Sequence, residues 1–293
     1  MHRLIISAPF GNYLNWKGAT STIGTYTYKY RGGVFYRMWR FMRTARYYWR
    51  LQSWVNQLGL PNPGMGRLLR DWRATNDALK GKILSIKGLN AEEWRGISDT
   101  VMIYMKSCEL EAIELNLSCP NVNHKVDLSE IRHTVAILVE KSPFRIIAKL
   151  PPIDPLDYAK PLYEELGVKS FHCCNTLPVP CGGMSGKVLK PFSIRAVSQL
   201  REKFGNDCDI IGGGGITSVE GIDEYLKAGA SRVAIGSMLL NPFNWRKVRH
   251  FADRMKVFDD YQACYPPQAV RSSCASSAES NDGASGTVHE PSR

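Results

Sequence analysis

The chain has 293 residues, of which 44% are hydrophobic and 22% charged, and its formal net charge is +11. This length suits one barrel of about 250 residues, or two smaller domains, with a sizeable hydrophobic core. No apolar run reaches the roughly 18 residues of a transmembrane helix, and eight scattered cysteines form no CxxC or zinc-like spacing, so we expect a cytoplasmic protein with reduced thiols and no metal site.

Apolar, strand-like runs alternate with helical patterns along the chain. The predicted strands are 4–8, 19–25, 82–86, 112–117, 145–150, 170–174, 209–212 and 232–236. The predicted helices are 90–106, 128–140, 155–166, 191–203, 219–228 and 242–255. Eight strands with repeated crossover helices imply parallel pairing, so the sequence predicts an α/β protein with a closed (β/α)8, or TIM, barrel.

Two connections depart from a regular barrel. Residues 9–18 are too few for a crossover helix, since a parallel connection takes about a dozen or more residues, so the first βα unit is predicted to be truncated. A basic, aromatic insertion over 26–77 instead separates the second and third strands. There Arg37, Arg40 and Arg43 recur at every third residue, which suits an interfacial membrane helix, or a helix that packs its aromatic side chains on the barrel. We favour the helix that packs on the barrel. The segment contains no nucleic-acid-binding motif, so no nucleic-acid partner is expected.

The most informative stretch is 114–122, with the sequence ELNLSCPNV. An apolar strand there ends in Cys119, flanked by Asn116 and Asn121 and closed by a proline. Barrel enzymes carry reactive groups at the carboxyl ends of their strands. A thiol between amides suits proton abstraction from a polar, planar substrate. A small core cysteine beside a turn is the alternative interpretation.

The other strand ends are also polar or rich in glycine. Lys149 ends the fifth strand and either points into the barrel mouth, where it needs an anionic partner, or reaches to the rim. The stretch 56–64 is a rigid binding loop or an ordinary turn. Glycine-rich loops follow strands seven and eight, where barrels often hold a phosphate. FMN fits this combination best, with Lys149 stabilising the reduced ring.

These motifs occur in order over residues 4 to about 256 and resemble the dihydroorotate dehydrogenase family, in its soluble class 1, which uses cysteine as the base. The stretches that carry the resemblance are 56–62 (NQLGLPN), 116–121 (NLSCPN), 149–152 (KLPP), 174–176 (CNT), 182–186 (GGMSG), 213–216 (GGGI) and 235–237 (IGS). The resemblance implies FMN-dependent oxidation of (S)-dihydroorotate to orotate in pyrimidine (UMP) biosynthesis.

The resemblance also implies residue roles. Cys119 takes a proton from C5 of dihydroorotate while C6 passes a hydride to the flavin. The residues implied around the pyrimidine are Asn56, Leu58, Gly59, Leu60, Asn116, Asn121, Asn175 and Thr176. Those implied to hold FMN are Ala8, Gly11, Asn116, Lys149, Cys174, Gly186, Gly214, Gly215, Gly236 and Ser237. A homodimer is expected, with fumarate or a separate partner subunit as electron acceptor.

One departure from the family keeps other functions open. The family usually has a lysine near the substrate carboxylate where this chain has Ile23, and Arg31 or Lys29 are the candidates to replace its charge. The alternatives are an FMN oxidoreductase acting on another dihydropyrimidine or cyclic amide, and a non-catalytic barrel that binds a partner or a membrane through its basic segment. Residues 1–262 are expected to form the barrel domain, and 263–293 a disordered tail.

Overall fold

A computed structural model describes residues 1–75, 79–120 and 127–264. Numbered along the chain, the barrel strands are β1 (Leu4–Ile6), β2 (Ala19–Tyr26), β5 (Ile83–Ile86), β6 (Ala112–Asn116), β7 (Arg145–Leu150), β8 (Ser170–Cys173), β11 (Asp209–Gly213) and β12 (Arg232–Ile235). They pair in parallel and close in the order β1-β12-β11-β8-β7-β6-β5-β2. The predicted eight-stranded barrel is therefore confirmed.

The barrel strands are mostly apolar on both faces, as expected of parallel strands between helices and a barrel interior. In β1, Leu4 and Ile6 pack into the large core beneath the helices, whereas Ile5 points into the barrel. Its partners there form one interior layer with it, namely Ile83, Ala112, Ile147, Ile211 and Ala234. This layer fills the barrel below the polar side chains, which lie toward the carboxyl ends of the strands.

The helices are α1 (Val34–Thr44), α2 (Gly64–Thr75), α3 (Ala91–Tyr104), α4 (Leu128–Lys141), α5 (Pro155–Glu164), α6 (Lys190–Phe204), α7 (Val219–Lys227) and α8 (Trp245–Cys264). Two of these helices begin with a side-chain N-cap. Asp127 accepts a hydrogen bond from the Ser129 N–H at 3.0 Å, and Ser218 accepts one from the Gly221 N–H at 3.3 Å. Each side chain satisfies one of the N–H groups that a helix start leaves unpaired.

The first βα unit is truncated, as predicted. A single turn of 3-10 helix at Phe10–Asn12 replaces the crossover helix between β1 and β2. This turn lies directly on β2, because Gly11 has no side chain. A Cβ at Gly11 would lie 2.3 Å from the Thr22 carbonyl oxygen. Close backbone packing therefore allows a connection of this length to join two parallel neighbours.

The insertion between β2 and β5 contains α1, β3 (Arg46–Tyr48), β4 (Ser53–Asn56) and α2. β3 and β4 join β9 (Leu177–Val179) and β10 (Gly182–Gly186) in an antiparallel sheet of order β3-β4-β10-β9, which the sequence does not predict. The expectation that the aromatic side chains of this segment pack on the barrel is wrong for most of them. Phe41 packs on Trp54, with 6.1 Å between ring centroids, but α1 has no buried residue.

The carboxyl end of the chain differs slightly from the prediction. A short 3-10 turn at Pro242–Asn244 precedes α8, which continues to Cys264, past the expected domain boundary at 262. The other residues of the predicted tail, 265–293, lie outside the described residues. Within the described part of the chain, no helix combines the length and apolar character that crossing a bilayer requires.

Candidate active site

A cavity of about 580 Å³ lies at the carboxyl ends of the barrel strands, between them, the small sheet and α1. Its size is typical of a small-molecule site. Most of the residues predicted for substrate or cofactor line it, namely Ala8, Asn56, Leu58, Leu60, Asn116, Cys119, Lys149, Cys174, Asn175, Thr176, Gly186, Gly214, Gly215, Gly236 and Ser237. The fold therefore brings together residues that lie more than 200 positions apart in the sequence.

Two of the predicted site residues that the structure describes, Gly11 and Gly59, do not line the cavity. Gly11 packs against the backbone of Thr22 instead. Gly59 lies between two lining leucines, and its carbonyl accepts two hydrogen bonds from the Arg31 guanidinium at 3.1 and 3.2 Å. Asn121 lies outside the described residues. Gly11 and Gly59 therefore lie next to residues that line the cavity but do not line it themselves.

Cys119 lies three residues beyond β6, is 8% exposed and faces the cavity. Beside it, hydrogen bonds fix the orientation of two amides. Asn175 Nδ2 donates to Asn116 Oδ1 at 2.7 Å, and Asn116 Nδ2 donates to Thr25 Oγ1 at 3.0 Å. Amides fixed in this way present defined donors and acceptors to a ligand. Thr176 Oγ1, also at the cavity, is buried without a hydrogen-bond partner among the described residues.

A buried ionic cluster lies beneath this amide layer. Glu114 Oε2 is 2.6 Å from His172 Nδ1, and Glu114 Oε1 accepts a hydrogen bond from Ser85 Oγ at 2.8 Å. Lys149 Nζ is 3.7 Å from Glu114 Oε1. Lys149 therefore points into the barrel mouth, with Glu114 as the anionic partner that this orientation requires, and does not reach to the rim.

The charges in this cluster follow from its surroundings. Burial would raise the pKa of Glu114, but Lys149, His172 and Ser85 outweigh burial and hold the pKa at about 2. Burial, and next the charge of Lys149, lower the pKa of His172. The imidazole is therefore neutral, and its Nδ1–H donates to the Glu114 carboxylate. One ammonium and one carboxylate thus face each other at the base of the cavity.

A second buried lysine, Lys87, was not predicted. It follows β5, is 1% exposed, and its Nζ donates to the carbonyls of Asn116 and Leu117 at 3.1 and 3.4 Å. No carboxylate of a described residue forms an ion pair with it. Burial lowers the pKa of Lys87, while the Cys119 thiolate raises it. This coupling is reciprocal, so an ammonium at Lys87 favours the thiolate form of Cys119.

The loops after β11 and β12 offer backbone donors. Gly214 and Gly215 have φ angles of 125° and 65°, and a Cβ on Gly215 would lie 2.9 Å from the Gly186 carbonyl oxygen. Only glycine fits this close turn. Among the described residues, no hydrogen bond engages the N–H groups of Gly214, Gly215, Gly236 or Ser237. They suit an anionic group such as a phosphate.

The structure also identifies the cations that reach the cavity. Ile23 is apolar and is buried in the core beneath the helices, so this position supplies no cation to the cavity. Of the two replacements considered, Arg31 is bound to the Gly59 carbonyl, and neither Arg31 nor Lys29 lines the cavity. Among the described residues, Lys149 and Arg37 are the lysine and arginine side chains that do. Arg37 comes from α1, so the inserted segment contributes a cation to the site.

The residues missed from sequence carried a recognisable signal. Ser85, Glu114 and His172 are polar positions within otherwise apolar strands, where an inward-facing polar side chain needs a partner. Lys87 directly follows such a strand. Arg37 could not be found this way, because its position depends on how the insertion folds over the barrel.

Comparisons with known proteins show what the chain is similar to. A family model described as "Dihydroorotate dehydrogenase" matches residues 23–251. The catalytic subunit of dihydroorotate dehydrogenase B (NAD(+)) from Methanocaldococcus jannaschii is 34% identical over 213 residues, which cover 63% of this chain and 66% of that protein. The putative dihydroorotate dehydrogenase A (fumarate) of Aquifex aeolicus is 30% identical over 208 residues, with 62% and 66% covered. The matched region thus spans just under two thirds of the length of these relatives.

Two further comparisons extend the match. The corresponding B-type catalytic subunit of Streptococcus pneumoniae strain R6 is 30% identical over 234 residues, which cover 71% of this chain and 72% of that protein. Among solved structures, dihydroorotate dehydrogenase of Eimeria tenella in complex with ferulenol superposes with a TM-score of 0.63 at 17% identity, covering 90% of this chain and 82% of that one. At this identity the structural likeness shows a shared fold.

Proposed function

The chain belongs to the dihydroorotate dehydrogenase family, and from that membership we propose that it oxidises (S)-dihydroorotate to orotate, a step of pyrimidine biosynthesis, with FMN as the hydride acceptor and Cys119 as the general base. The observation that carries the proposal is that one cavity holds a thiol, two fixed amides, a buried lysine and two glycine loops. A barrel that only bound a partner would not need this combination at its strand ends.

The cysteine removes the proton in the proposed reaction. Cys119 Sγ, as a thiolate, takes a proton from C5 of dihydroorotate, a hydride leaves C6, and a C5=C6 double bond forms. Bound flavin supplies the acceptor for that hydride. The ammonium of Lys87, which interacts with Cys119, favours the thiolate that the step requires. Cys119 is nearly buried, so little water competes for the proton.

The residues of the cavity fit FMN. The N–H groups of Gly214, Gly215, Gly236 and Ser237 would hold its phosphate, as expected for loops after the seventh and eighth barrel strands. Lys149 would lie beside the ring system, where its charge stabilises the reduced, anionic form. The 3.7 Å pairing with Glu114 keeps this ammonium oriented in the cavity floor. Ala8, Cys174 and Gly186 complete the proposed cofactor wall.

The substrate would occupy the remaining, amide-rich part of the cavity. Asn116 and Asn175 offer donors and acceptors to the edges of a cyclic imide, and Thr176 Oγ1 has its hydrogen-bonding capacity unused. Arg37 is the cation best placed to pair with the substrate carboxylate, because Lys149 is paired with Glu114. The other residues proposed around the substrate are Asn56, Leu58, Gly59, Leu60 and, from the sequence motif, Asn121.

A second candidate function is the oxidation of a neutral dihydropyrimidine or another cyclic amide. The observation that favours it is the buried Ile23, at the position where the family usually has a lysine for the carboxylate. Such a substrate has no carboxylate and needs only the amide edges. The position of Arg37 favours dihydroorotate, so the two candidates differ in whether a carboxylate improves the substrate.

The test is anaerobic flavin reduction with a panel of substrates. The protein is reconstituted with FMN, and the loss of flavin absorbance is followed after mixing with dihydroorotate or with neutral dihydrouracil. We expect dihydroorotate to bleach the flavin faster than dihydrouracil does, and to yield orotate. In Arg37→Gln the difference between these two bleaching rates should be smaller. Faster bleaching by dihydrouracil would favour the second candidate. A protein that takes up no flavin would exclude both.

A further inference from the structure

Helix α1 has the reverse of the usual amphipathic orientation. Phe35, Trp39 and Met42 form a stripe at spacings of four and three residues, and Phe35 and Met42 are 84% and 65% exposed. Met38 lies beside this stripe and is also exposed. A helix on the surface of a globular protein normally turns such a stripe toward the core. Here the stripe faces outward.

Arginines occupy much of the inner side of the same helix. Arg40 donates hydrogen bonds to the carbonyls of Gln57 and Leu58, in the loop beside the cavity. The Arg37 guanidinium lies 5.4 Å from the centre of the Tyr13 ring and lines the cavity. The stripe therefore faces outward because the contacts of Arg37, Arg40 and Phe41 fix the other side of the helix against the protein. A rotation of the helix that buried the stripe would break these contacts.

The apolar surface continues beyond the helix. Trp49 is 81% exposed, and its ring lies 4.7 Å from that of Tyr47, which in turn contacts Trp54 beneath α1. We call the exposed set Phe35, Trp39, Met42 and Trp49 the α1 face; Met38 is excluded because it also lines the cavity. Several large apolar side chains exposed on one segment mark an interaction site in a folded protein.

The α1 face is surrounded by positive charge. Arg43, Arg46 and Arg50 are exposed beside it, and the chain from Lys29 to Arg70 contains no acidic residue. Arg43 also lies over the Trp39 ring, at 5.5 Å from its centre. Exposed aromatic and aliphatic side chains among arginines, in a segment without a carboxylate, match the headgroup region of an anionic bilayer in both polarity and charge.

We propose that the α1 face binds the surface of anionic phospholipid membranes, with its apolar side chains inserted among the headgroups and its arginines paired with lipid phosphates. A second copy of the chain fits less well, because a two-fold symmetric contact sets a patch against itself and would oppose the same arginines. The proposal rests on the surface alone and does not depend on the proposed reaction.

The test is flotation of the full-length protein with lipid vesicles. Vesicles of phosphatidylcholine alone are compared with vesicles of phosphatidylcholine mixed with phosphatidylglycerol. We expect binding to the anionic vesicles, a weaker signal on the neutral ones, and a blue shift of tryptophan fluorescence as Trp39 and Trp49 enter the headgroup region. Binding that is equal on both kinds of vesicle, or absent from both, would overturn the proposal.

Variants separate the two contributions. Phe35→Ser with Trp39→Ser should lower the partition coefficient at least about tenfold, because each loses an apolar side chain from the interface. Arg43→Gln with Arg50→Gln should lower it roughly 30-fold, at about fivefold for each charge. The matched control is Ile103→Ser. It removes an apolar side chain on α3 that is 66% exposed in the native chain, and it should bind like the native protein.

Two results would assign the face to something else. A dimer in light scattering that Phe35→Ser disrupts, without vesicle binding, would make the face a contact between copies. An unchanged partition coefficient in both double variants would place membrane binding elsewhere on the molecule. All the substituted side chains are exposed, so circular dichroism and thermal unfolding should match the native protein and confirm that the variants fold.

Discussion

Replacing Lys87 by methionine removes the buried charge that acts on the proposed base. Lys87 Nζ is bonded to the carbonyl oxygens of Asn116 and Leu117, the second of which lies two residues before Cys119. It is 1% exposed and forms no ion pair with a carboxylate of the described residues, so its field is poorly screened. A close, poorly screened opposite charge shifts an ionisation by about one to three pH units.

The expected result is therefore a higher pH for ionisation of the Cys119 thiol in Lys87→Met. The rate of reaction with a small neutral disulfide, followed by mass spectrometry of the Cys119 peptide, should show a midpoint about one to three pH units above that of the native protein. At pH 7 the rate should fall only roughly 3- to 30-fold, because a more basic thiolate is also intrinsically more nucleophilic.

Two control variants sharpen this experiment. Lys87→Arg keeps the charge and should retain most of the native midpoint. Lys82→Met removes a lysine at the opposite end of β5, outside the cavity, and should leave the midpoint unchanged. An unaltered midpoint in Lys87→Met, in a variant whose circular dichroism is native, would refute the view that Lys87 activates Cys119. The assay needs no substrate, so its result is independent of the reaction.

Further changes test other parts of the site. Arg37→Gln should raise the KM for dihydroorotate at least tenfold and leave that for dihydrouracil nearly unchanged, because only the first has a carboxylate; equal effects on both would exclude the assigned pairing. Glu114→Gln should lower the free energy of unfolding by roughly 3 kcal/mol at pH 7, since the carboxyl pKa is depressed from 4.5 to about 2. The depressed pKa makes this contribution present above pH 4.5 and lost as the pH falls toward 2, so urea titrations of both proteins should converge at low pH, and a constant gap would contradict the assignment. Gly215→Ala should weaken FMN binding at least tenfold in a fluorescence titration, because its Cβ would lie 2.9 Å from the Gly186 carbonyl; native affinity would show that the loop does not hold the cofactor.

The barrel was predictable because its strands are separate apolar runs, most of them followed by a helical pattern. Asp127 and Ser218 cap the helices that the sequence predicts there. The truncated first unit was predictable from the chain length available between β1 and β2. The small sheet was not, because β4 and β10 are short and lie some 130 positions apart, and pairing over such a separation leaves no local pattern.

The site was predictable to the extent that strand ends converge in a barrel. This rule places Cys119, Lys149 and the glycine loops together without knowledge of any contact. The orientation of α1 lay beyond the sequence, because its periodicity defines an apolar stripe but not the side that faces the protein. That choice depends on Arg40 reaching the carbonyls of the 56–64 loop. The same contact brings Arg37 to the cavity and turns Phe35 to solvent.

The most direct test of the central claim is single-turnover reduction of the FMN-loaded protein by dihydroorotate, in the native chain and in Cys119→Ala. A positioned general base contributes about 100- to 10,000-fold to the rate of proton abstraction. We expect rapid bleaching in the native protein and a loss of that order in Cys119→Ala, with FMN and substrate still bound. Bleaching of Cys119→Ala at the native rate would exclude Cys119 as the general base, because the proton would then leave through another group.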